Sequence, residues 1–400
     1  MDVAIIGGGM VGATLACALA DTSLKVVIID PQATMTPPSE TKFDLRVSAI
    51  TRASQRIFTQ LDVWPEMLAQ RVSPFQQMRV WEQDDPAAQA EMHFDSAELS
   101  EPYLGHIIEN RVILSSLYKV LASKAQIQLM LGQRCSAMQF VDSHWQLQLA
   151  DGQSLAAALV VGADGTQSWV RQQCAITSRG WDYDQSALVT YVKTSRSHQQ
   201  TAWQRFLKDG PLAFLPLTDG YSSIVWSTSP IHAAHLLSLS DEAFGQELAA
   251  AYQGRLGDIV ECGPRAAFPL RFMDAEHYIL PGLALIGDAA HTIHPLAGQG
   301  VNLGILDAAS LAQVLRQALT THQAIGSQSV LRRYERWRKA ENMSMFVMVD
   351  QIQRLFGTQL GGVKWLRNIG MSGLDRLTPV KNLIIDHAMG NRGDLPTLAR

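Results

Sequence analysis

Several features that would place a chain in other classes are scarce here. Charged residues make up 18% of the 400, and 33 Lys and Arg against 37 Asp and Glu give a net charge of −4. Nucleic-acid binders carry a basic excess, which this chain lacks. The four cysteines, Cys17, Cys135, Cys174 and Cys262, are scattered, with no CxxC pair. That spacing excludes a zinc ribbon or a dithiol redox centre and reads as a reduced, cytoplasmic chain with no metal site. No run approaches the roughly 20 apolar residues of a membrane span. The nearest, Ala4 to Ala20, is broken by glycines at 7, 8, 9 and 12, and no Lys or Arg precedes Lys25. A signal peptide needs a basic start, so this run is read as structure. No internal repeat or low-complexity stretch is present.

What remains is a chain that is 47% hydrophobic, large enough to bury about three quarters of its unfolded surface. At about 150 residues per unit it is expected to form two to three domains. The first thirty residues read as strand, tight turn, helix and strand: Val3 to Ile6, then Gly7-Gly8-Gly9, then Met10 to Ala20, then Val26 to Asp30. This is a βαβ unit with parallel strands. A helix is expected over 54–70, short strands at 76–82 and 91–94, and a second helix over 110–123. A hairpin is expected to turn at Asp151-Gly152. Residues 159–162 read as another buried strand. From about 180 to 275 strand-like segments dominate, which predicts a separate antiparallel sheet domain. Residues 283–286 return to the parallel sheet, and the chain is expected to be mainly helical from 301 to about 390.

Three glycine-centred motifs each follow an apolar strand. In Gly7-x-Gly9-x-x-Gly12 the glycines permit a tight turn and a close approach to a pyrophosphate, which the free N–H groups at the helix start attract. Asp30, at the end of the second strand, is placed to accept bonds from a ribose. The pattern suits NAD and FAD equally. Gly162-Ala163-Asp164-Gly165 continues through Ser168 to Arg171. Gly287-Asp288-Ala289-Ala290-His291 runs through His294 and Pro295 into Gly298-Gln299-Gly300-Val301-Asn302 and a helix, whose first amides face a second anionic target.

These motifs in this order, together with Asp44-x-Arg46, resemble the flavin-dependent aromatic hydroxylases of the para-hydroxybenzoate hydroxylase fold. The likeness runs nearly the full length to the ubiquinone-biosynthesis hydroxylases. It is carried by Arg46-Val47-Ser48-Ala49-Ile50, Ile107-Ile108-Glu109-Asn110, Trp203-Gln204, Ala213 to Leu217, Ser223 to Ser227 and His291 to Gly304. Leu331-Arg332-Arg333-Tyr334-Glu335-Arg336 and the tail Ala388-Met389-Gly390 with Asp394-Leu395-Pro396 resemble the subgroup that hydroxylates C5 of a 2-polyprenylphenol; the C6 and C1 hydroxylases share most of these motifs.

The resemblance implies an α/β fold with four parts. These are a Rossmann-like FAD-binding domain over 1–179 with inserted strands near 75–105, a β-sheet substrate domain over 180–275, a return to the FAD-binding domain over 276–325, and a helical region over 326–400. It implies FAD, held by Gly7, Gly9, Gly12, Asp30, Arg46, Asn110, Asp164, Asp288, Gly300, Val301 and Asn302. Asn110 is a departure, since many members have Arg there. It implies electrons from NAD(P)H, directly or through a carrier, and ring hydroxylation through a flavin C4a-hydroperoxide. Pro295, Gly298, Gln299 and Gly300 would face the flavin. His294 or His291 is a candidate to deprotonate the phenol, or else to bond to backbone. Phe214, Pro216 and Trp226 are candidate pocket walls or core.

The implied partners are a polyprenylphenol and O2, with no nucleic acid. A homo-oligomer, a biosynthetic complex and a peripheral contact with the inner face of the membrane are further expectations. Met343, Phe346, Met348 and Arg332, Arg336 and Lys339 recur at helical spacing, which serves a membrane-surface helix, core packing or a subunit interface alike. Alternative activities are a flavin reductase or epoxidase acting on a prenyl chain, and a non-catalytic FAD-binding subunit.

Overall fold

Val3–Ile6 forms strand β1, apolar throughout, and Val26–Asp30 forms β2, with helix α1 (Met10–Leu19) between them. Their apolar residues are buried on both faces, as in a parallel sheet covered on each side. In the computed structural model, residues 1–34, 37–39, 42–82, 91–293, 300–357, 389–391 and 393–400 are described. Strand β3 (Val47–Ile50) leads into helix α2 (Arg52–Gln60), whose first turn is capped by the Thr51 hydroxyl accepting from the Ser54 amide. The single helix expected over 54–70 is two. The chain turns at Asp62, which has φ 59°, and α3 (Trp64–Leu68) restarts with Pro65 in its first turn, where a missing N–H costs nothing.

Strands β4 (Ser73–Phe75), β5 (Gln77–Glu82), β6 (Glu91–Asp95) and β7 (Gly105–Glu109) precede helix α4 (Asn110–Leu121) and strand β8 (Ile127–Leu131). The expected hairpin is part of a three-stranded meander, β9 (Cys135–Val141), β10 (His144–Leu149) and β11 (Ser154–Ala157), turning at Gly152 with φ 89°. Then come β12 (Leu159–Gly162) and α5 (Trp169–Gln173). The strand-rich stretch comprises β13 (Ser178–Thr194), β14 (Thr201–Leu207), β15 (Gly210–Pro216), β16 (Tyr221–Thr228), helices α6 (Pro230–Ser238) and α7 (Asp241–Ala251), β17 (Ile259–Cys262) and β18 (Ala266–Ala275). Short strands β19 (Ile279–Leu280), β20 (Leu283–Leu285) and β21 (His291–Thr292) lead to the long helices α8 (Gly300–Thr320) and α9 (Gln328–Gly357). Of the helical region expected over 326–400, residues 358–388 lie outside the described residues.

The first sheet has the order β19-β20-β12-β1-β2-β8, with β20, β12, β1, β2 and β8 parallel. Its core is one cluster in which the small side chains of α1 let that helix lie close against α4 and α8. The large sheet runs β21-β18-β13-β16-β15-β14-β5-β6. Its one parallel pairing, β14 with β5, brings β5 and β6 from early in the chain into this sheet.

The two faces of the large sheet differ in what covers them. Leu188, Leu212, Phe214, Ile224 and Trp226 pack on one face against Leu236, Phe244, Leu248 and Tyr252 of the α6–α7 layer. Phe214 and Trp226 are therefore core rather than pocket wall, and each contributes about 2–3 kcal/mol by burial. Pro216 is buried two residues along from Phe214 and shares its side of the strand. On the opposite face, Tyr191, Leu215 and Leu217 meet Val47, Ala49 and Ile107 of the β3–β7 sheet. There too, Val80 and Phe206 meet Ile293, Leu303, Met345 and Phe346.

Candidate functional site

The strand pairings bring the motifs together. Ile29, Ile6, Gly162 and Leu285 lie in one register row across β2, β1, β12 and β20. The segments after these residues, carrying Asp30, Gly7 to Gly12, Asp164 and Asp288, leave the sheet side by side at its carboxyl edge. Four strands at about 4.8 Å spacing make this edge about 14 Å wide. Open α/β sheets bind ligands at that edge.

Each part of the first motif has a separate task. Gly7 has φ +106°, and a Cβ there would come within 2.3 Å of the Ala163 carbonyl oxygen, so the turn and the second motif touch backbone to backbone. A Cβ on Gly12 would come within 2.0 Å of the Gly7 oxygen. Gly9, by contrast, has nothing within 4 Å of its Cβ position, and it begins α1 with no side-chain cap and no acid in the first turn. The α1 amides are thus left for an outside anion. Asp30 holds the turn: Oδ2 accepts from Gly8 N at 2.6 Å and Oδ1 from Gln32 N at 2.8 Å. Each carboxylate oxygen keeps a lone pair for a ribose hydroxyl. Tyr118 Oη, which the sequence did not single out, donates to the Gly8 carbonyl at 2.9 Å.

In the second motif, Asp164 Oδ2 accepts from Val170 N at 3.0 Å, while Oδ1 is buried with no partner. An acceptor left bare in the interior is costly unless a ligand donates to it. Arg171 is buried and joins the second and third motifs, donating to the Ala289 carbonyl at 2.8 Å and to the Thr166 carbonyl at 2.7 Å.

In the third motif Asp288 is solvent-exposed, yet enough protein surrounds it that desolvation raises its carboxyl above the ordinary range, against the opposing pull of His291 and Arg46. That combination describes the floor of a cleft. Thr166 Oγ1 lies 3.5 Å from Asp288 Oδ2. His291 is buried and donates through Nε2 to Asp307 Oδ2 at 2.5 Å, so it is clamped rather than free to meet a phenol. Asp307 also accepts from Gly287 N at 3.0 Å and from Arg338 Nε at 2.7 Å. Burial would raise the Asp307 carboxyl, but His291 and Arg338 overturn this and lower it to about 2. Asp307 and Arg338 were not anticipated as site residues. The available signal was a lone acid within the apolar face of α8, whose partner lies 31 residues further on.

Gly300 opens α8 with nothing within 4 Å of its Cβ position, and the first turn of α8 contains no acid. Val301 is half-buried. Asn302 is buried and joins α8 to the β3–α2 junction: its Oδ1 accepts from Thr51 N at 3.1 Å and its Nδ2 donates to Ala49 O at 2.7 Å. Its side chain is engaged by protein. His294, Pro295, Gly298 and Gln299 lie outside the described residues. Arg46 is exposed, its guanidinium 5.6 Å from the centre of the Phe268 ring across the cleft. The Asn110 side chain receives the Ser48 hydroxyl at 2.7 Å, and the neighbouring Arg111 pairs with Asp44 at 3.5 Å.

These residues fit the FAD that the motifs imply. They offer uncapped helix amides at the start of α1 for a pyrophosphate, a carboxylate with spare lone pairs for a ribose, a buried carboxylate oxygen with no protein donor, and a second helix start, that of α8, with no acid in its first turn. Among the described residues no His, Cys, Asp and Glu group is arranged to hold a metal ion.

The FAD binding domain family matches residues 1–347. The 3-demethoxyubiquinol 3-hydroxylase of Escherichia coli (strain K12) is 37% identical over 389 residues, covering 97% of this chain and 98% of its own. Ubiquinone hydroxylase UbiL of Rhodospirillum rubrum is 36% identical, covering 97% and 89%. The mitochondrial ubiquinone biosynthesis monooxygenase COQ6 of Homo sapiens is 34% identical, covering 97% and 92%. Among solved structures, p-nitrophenol 4-monooxygenase PnpA from Pseudomonas putida DLL-E4 shares the fold with a TM-score of 0.80 at 16% identity, covering 97% of each chain. PqsL from Pseudomonas aeruginosa shares it with a TM-score of 0.74 at 21% identity, covering 93% and 99%. With its glycine turns, strand-end acids and inserted antiparallel sheet accounted for, the chain belongs to the FAD-binding domain family as an FAD-dependent monooxygenase of the ubiquinone-biosynthesis flavin hydroxylase group.

Proposed function

We propose that this enzyme hydroxylates the aromatic ring of a polyprenylphenol intermediate of ubiquinone biosynthesis, at C5, using O2 and electrons that originate from NAD(P)H. The observation that carries the pathway is the 37% identity, over nearly the full length of both chains, to a demethoxyubiquinol hydroxylase. Support for C5 comes from Ala388-Met389-Gly390 and Asp394-Leu395-Pro396. Part of that tail is held in place, since Met389 is buried beside Leu104 and its carbonyl accepts from Ala53 N at 3.4 Å. A second reading, attack at another carbon of the same ring, is favoured by the substrate named in that relative.

The bound flavin supplies the electron transfer and oxygen activation that no side chain here offers. The chain's own groups then bind, orient and exclude water. In this reading Gly7, Gly9 and Gly12 shape the pyrophosphate turn, Asp30 takes a ribose, Asp164 Oδ1 receives a ligand hydroxyl, and the amides of Gly300, Val301 and Asn302 stabilise negative charge on the flavin. Arg46, Asn110 and Asp288 border the same cleft. Pro295, Gly298, Gln299 and His294 remain assigned to the flavin-facing segment by resemblance. The apolar face of the large sheet, roofed by Val47 and Ala49, shelters the ring from water.

A peripheral membrane contact belongs to the same reading. No helix among the described residues is long and apolar enough to cross a membrane. However, α9 turns Met343 and Val347 outward, 43% and 48% exposed, alongside exposed Arg332 and Arg336. Such a face suits a lipid surface.

The test is product analysis. Purified FAD-loaded enzyme given 2-polyprenylphenol, NAD(P)H and a reductase is expected to consume O2 in a substrate-stimulated way and to release a product 16 mass units heavier with the new hydroxyl at C5. A saturated or epoxidised chain would contradict ring hydroxylation. A hydroxyl elsewhere on the ring would move the position only.

A further inference from the structure

Gln204 lies in β14 between Ala213 of β15 and Val80 of β5, on the face of the large sheet opposite α6 and α7. The same register row continues through Val225 and Val189 on one side and Met92 on the other. Every cross-strand neighbour of Gln204 in this row is thus uncharged and apolar. Gln204 itself is buried, 7% exposed, yet its side-chain amide makes no hydrogen bond among the described residues. A primary amide has two donors and two acceptor positions, and the Gln204 amide atoms are not among the fully sealed, unsatisfied side-chain atoms, so they keep a little accessible surface through which a partner can reach them. Such a group is retained where something outside the chain completes it.

The location says what that is. Val80, one strand away, and Phe206, two residues along β14, pack against Ile293 and Leu303. Ile293 follows the third motif, and Leu303 sits in the first turn of α8. Gln204 therefore shares the sheet face on which Val80 and Phe206 meet Ile293 and Leu303.

We propose that the Gln204 amide receives the phenolic hydroxyl of the substrate and so fixes the orientation of the ring on an apolar floor. This rests on the reading of the enzyme as a phenol hydroxylase. The hydroxyl donates to Oε1 of a group that does not titrate, so the ring is recognised by one directional bond. Packing on Ala213 and Val225 supplies the remainder. A site built to bond a hydroxyl rejects an analogue that lacks the proton, because its own polar group is then left bare.

The test uses the FAD-loaded full chain and two probes, 2-prenylphenol and its methyl ether, 2-prenylanisole. Binding is read from the perturbation of flavin absorbance, which needs no turnover. The wild type is expected to bind the phenol about tenfold more tightly than the ether, the worth of one neutral hydrogen bond. In Gln204→Met, of similar length and without hydrogen-bonding groups, that preference is expected to fall to about one, with flavin content retained. Val80→Ala, which loosens the same floor, is expected to weaken both probes equally and keep the preference; this separates a hydrogen bond from packing. An unchanged preference in Gln204→Met overturns the assignment while leaving the functional reading in place. No response of the wild type to either probe overturns both.

Discussion

The amide of Gly287 donates to the carboxylate of Asp307 across 3.0 Å, and this bond ties the third cofactor motif to the middle of α8. Asp307 is wholly buried and also holds His291 of β21 and Arg338 of α9. One carboxylate thus fixes a turn, a strand and two helices around the edge where the motifs converge. Removing one partner of such a buried set leaves an uncompensated charge, at a cost of about 3–5 kcal/mol. Arg338→Met is accordingly expected to lower unfolding free energy by that amount and to weaken FAD retention, measured by denaturant titration and by flavin content after gel filtration. Loss of flavin without loss of stability would show that Arg338 acts on the cofactor site alone.

The same carboxylate gives an acid limit. Its folded value, lowered to about 2 from 3.8, favours the ionised form in the native state. The stabilisation is present above pH 3.8 and is lost as pH falls toward 2. By linkage this amounts to roughly 2–3 kcal/mol.

His106 sets a second and earlier limit. Desolvation, with Arg52 adding to it, lowers this histidine to about 4 from 6.5. Its ring sits edge-on to Trp64 and Tyr103, and Nδ1 is buried with no partner, so a proton there finds no acceptor. The neutral ring is favoured in the fold, and the stability it contributes is present above pH 6.5 and lost as pH falls from 6.5 to 4. This amounts to about 3 kcal/mol at most. Thermal melts between pH 7 and pH 4.5 are expected to show this decline in the wild type and a flatter profile in His106→Phe.

Gly7 and Gly9 should separate folding from ligand binding. Gly7→Ala forces a Cβ to within 2.3 Å of backbone at φ +106° and is expected to prevent a stable fold. Gly9→Ala meets nothing within 4 Å and has an ordinary φ of −65°, so the apo-protein should keep its stability. The added methyl would instead crowd the amides left for the pyrophosphate. FAD affinity is expected to fall at least tenfold, measured by fluorescence titration of the apo-protein. Unchanged affinity would place the pyrophosphate elsewhere.

Much of this architecture is local enough to read from the sequence. The βαβ unit, the acid at Asp30 and the strands before Gly162 and Gly287 depend on short-range spacing, and each is where that spacing puts it. The faces of the large sheet were not legible in the same way. A period of two shows that Phe214 and Trp226 share a face, but only the pairing of β13 to β18 and the position of α6 and α7 show that this face is the covered one. The parallel join of β5 to β14 links residues more than a hundred positions apart and leaves no trace in either segment. The break at Asp62 escaped because the apolar pattern of α2 continues into α3. The buried ion set escaped because charge pairing between α8 and α9 is a tertiary property.

The most direct test of the account is to delete the gene and profile the quinone intermediates by mass spectrometry. Accumulation of 2-polyprenylphenol, or of a derivative lacking only the C5 oxygen, is the predicted result, with complementation by the wild-type gene. An unchanged quinone profile in a strain with no second copy of the activity would contradict the assignment to this pathway.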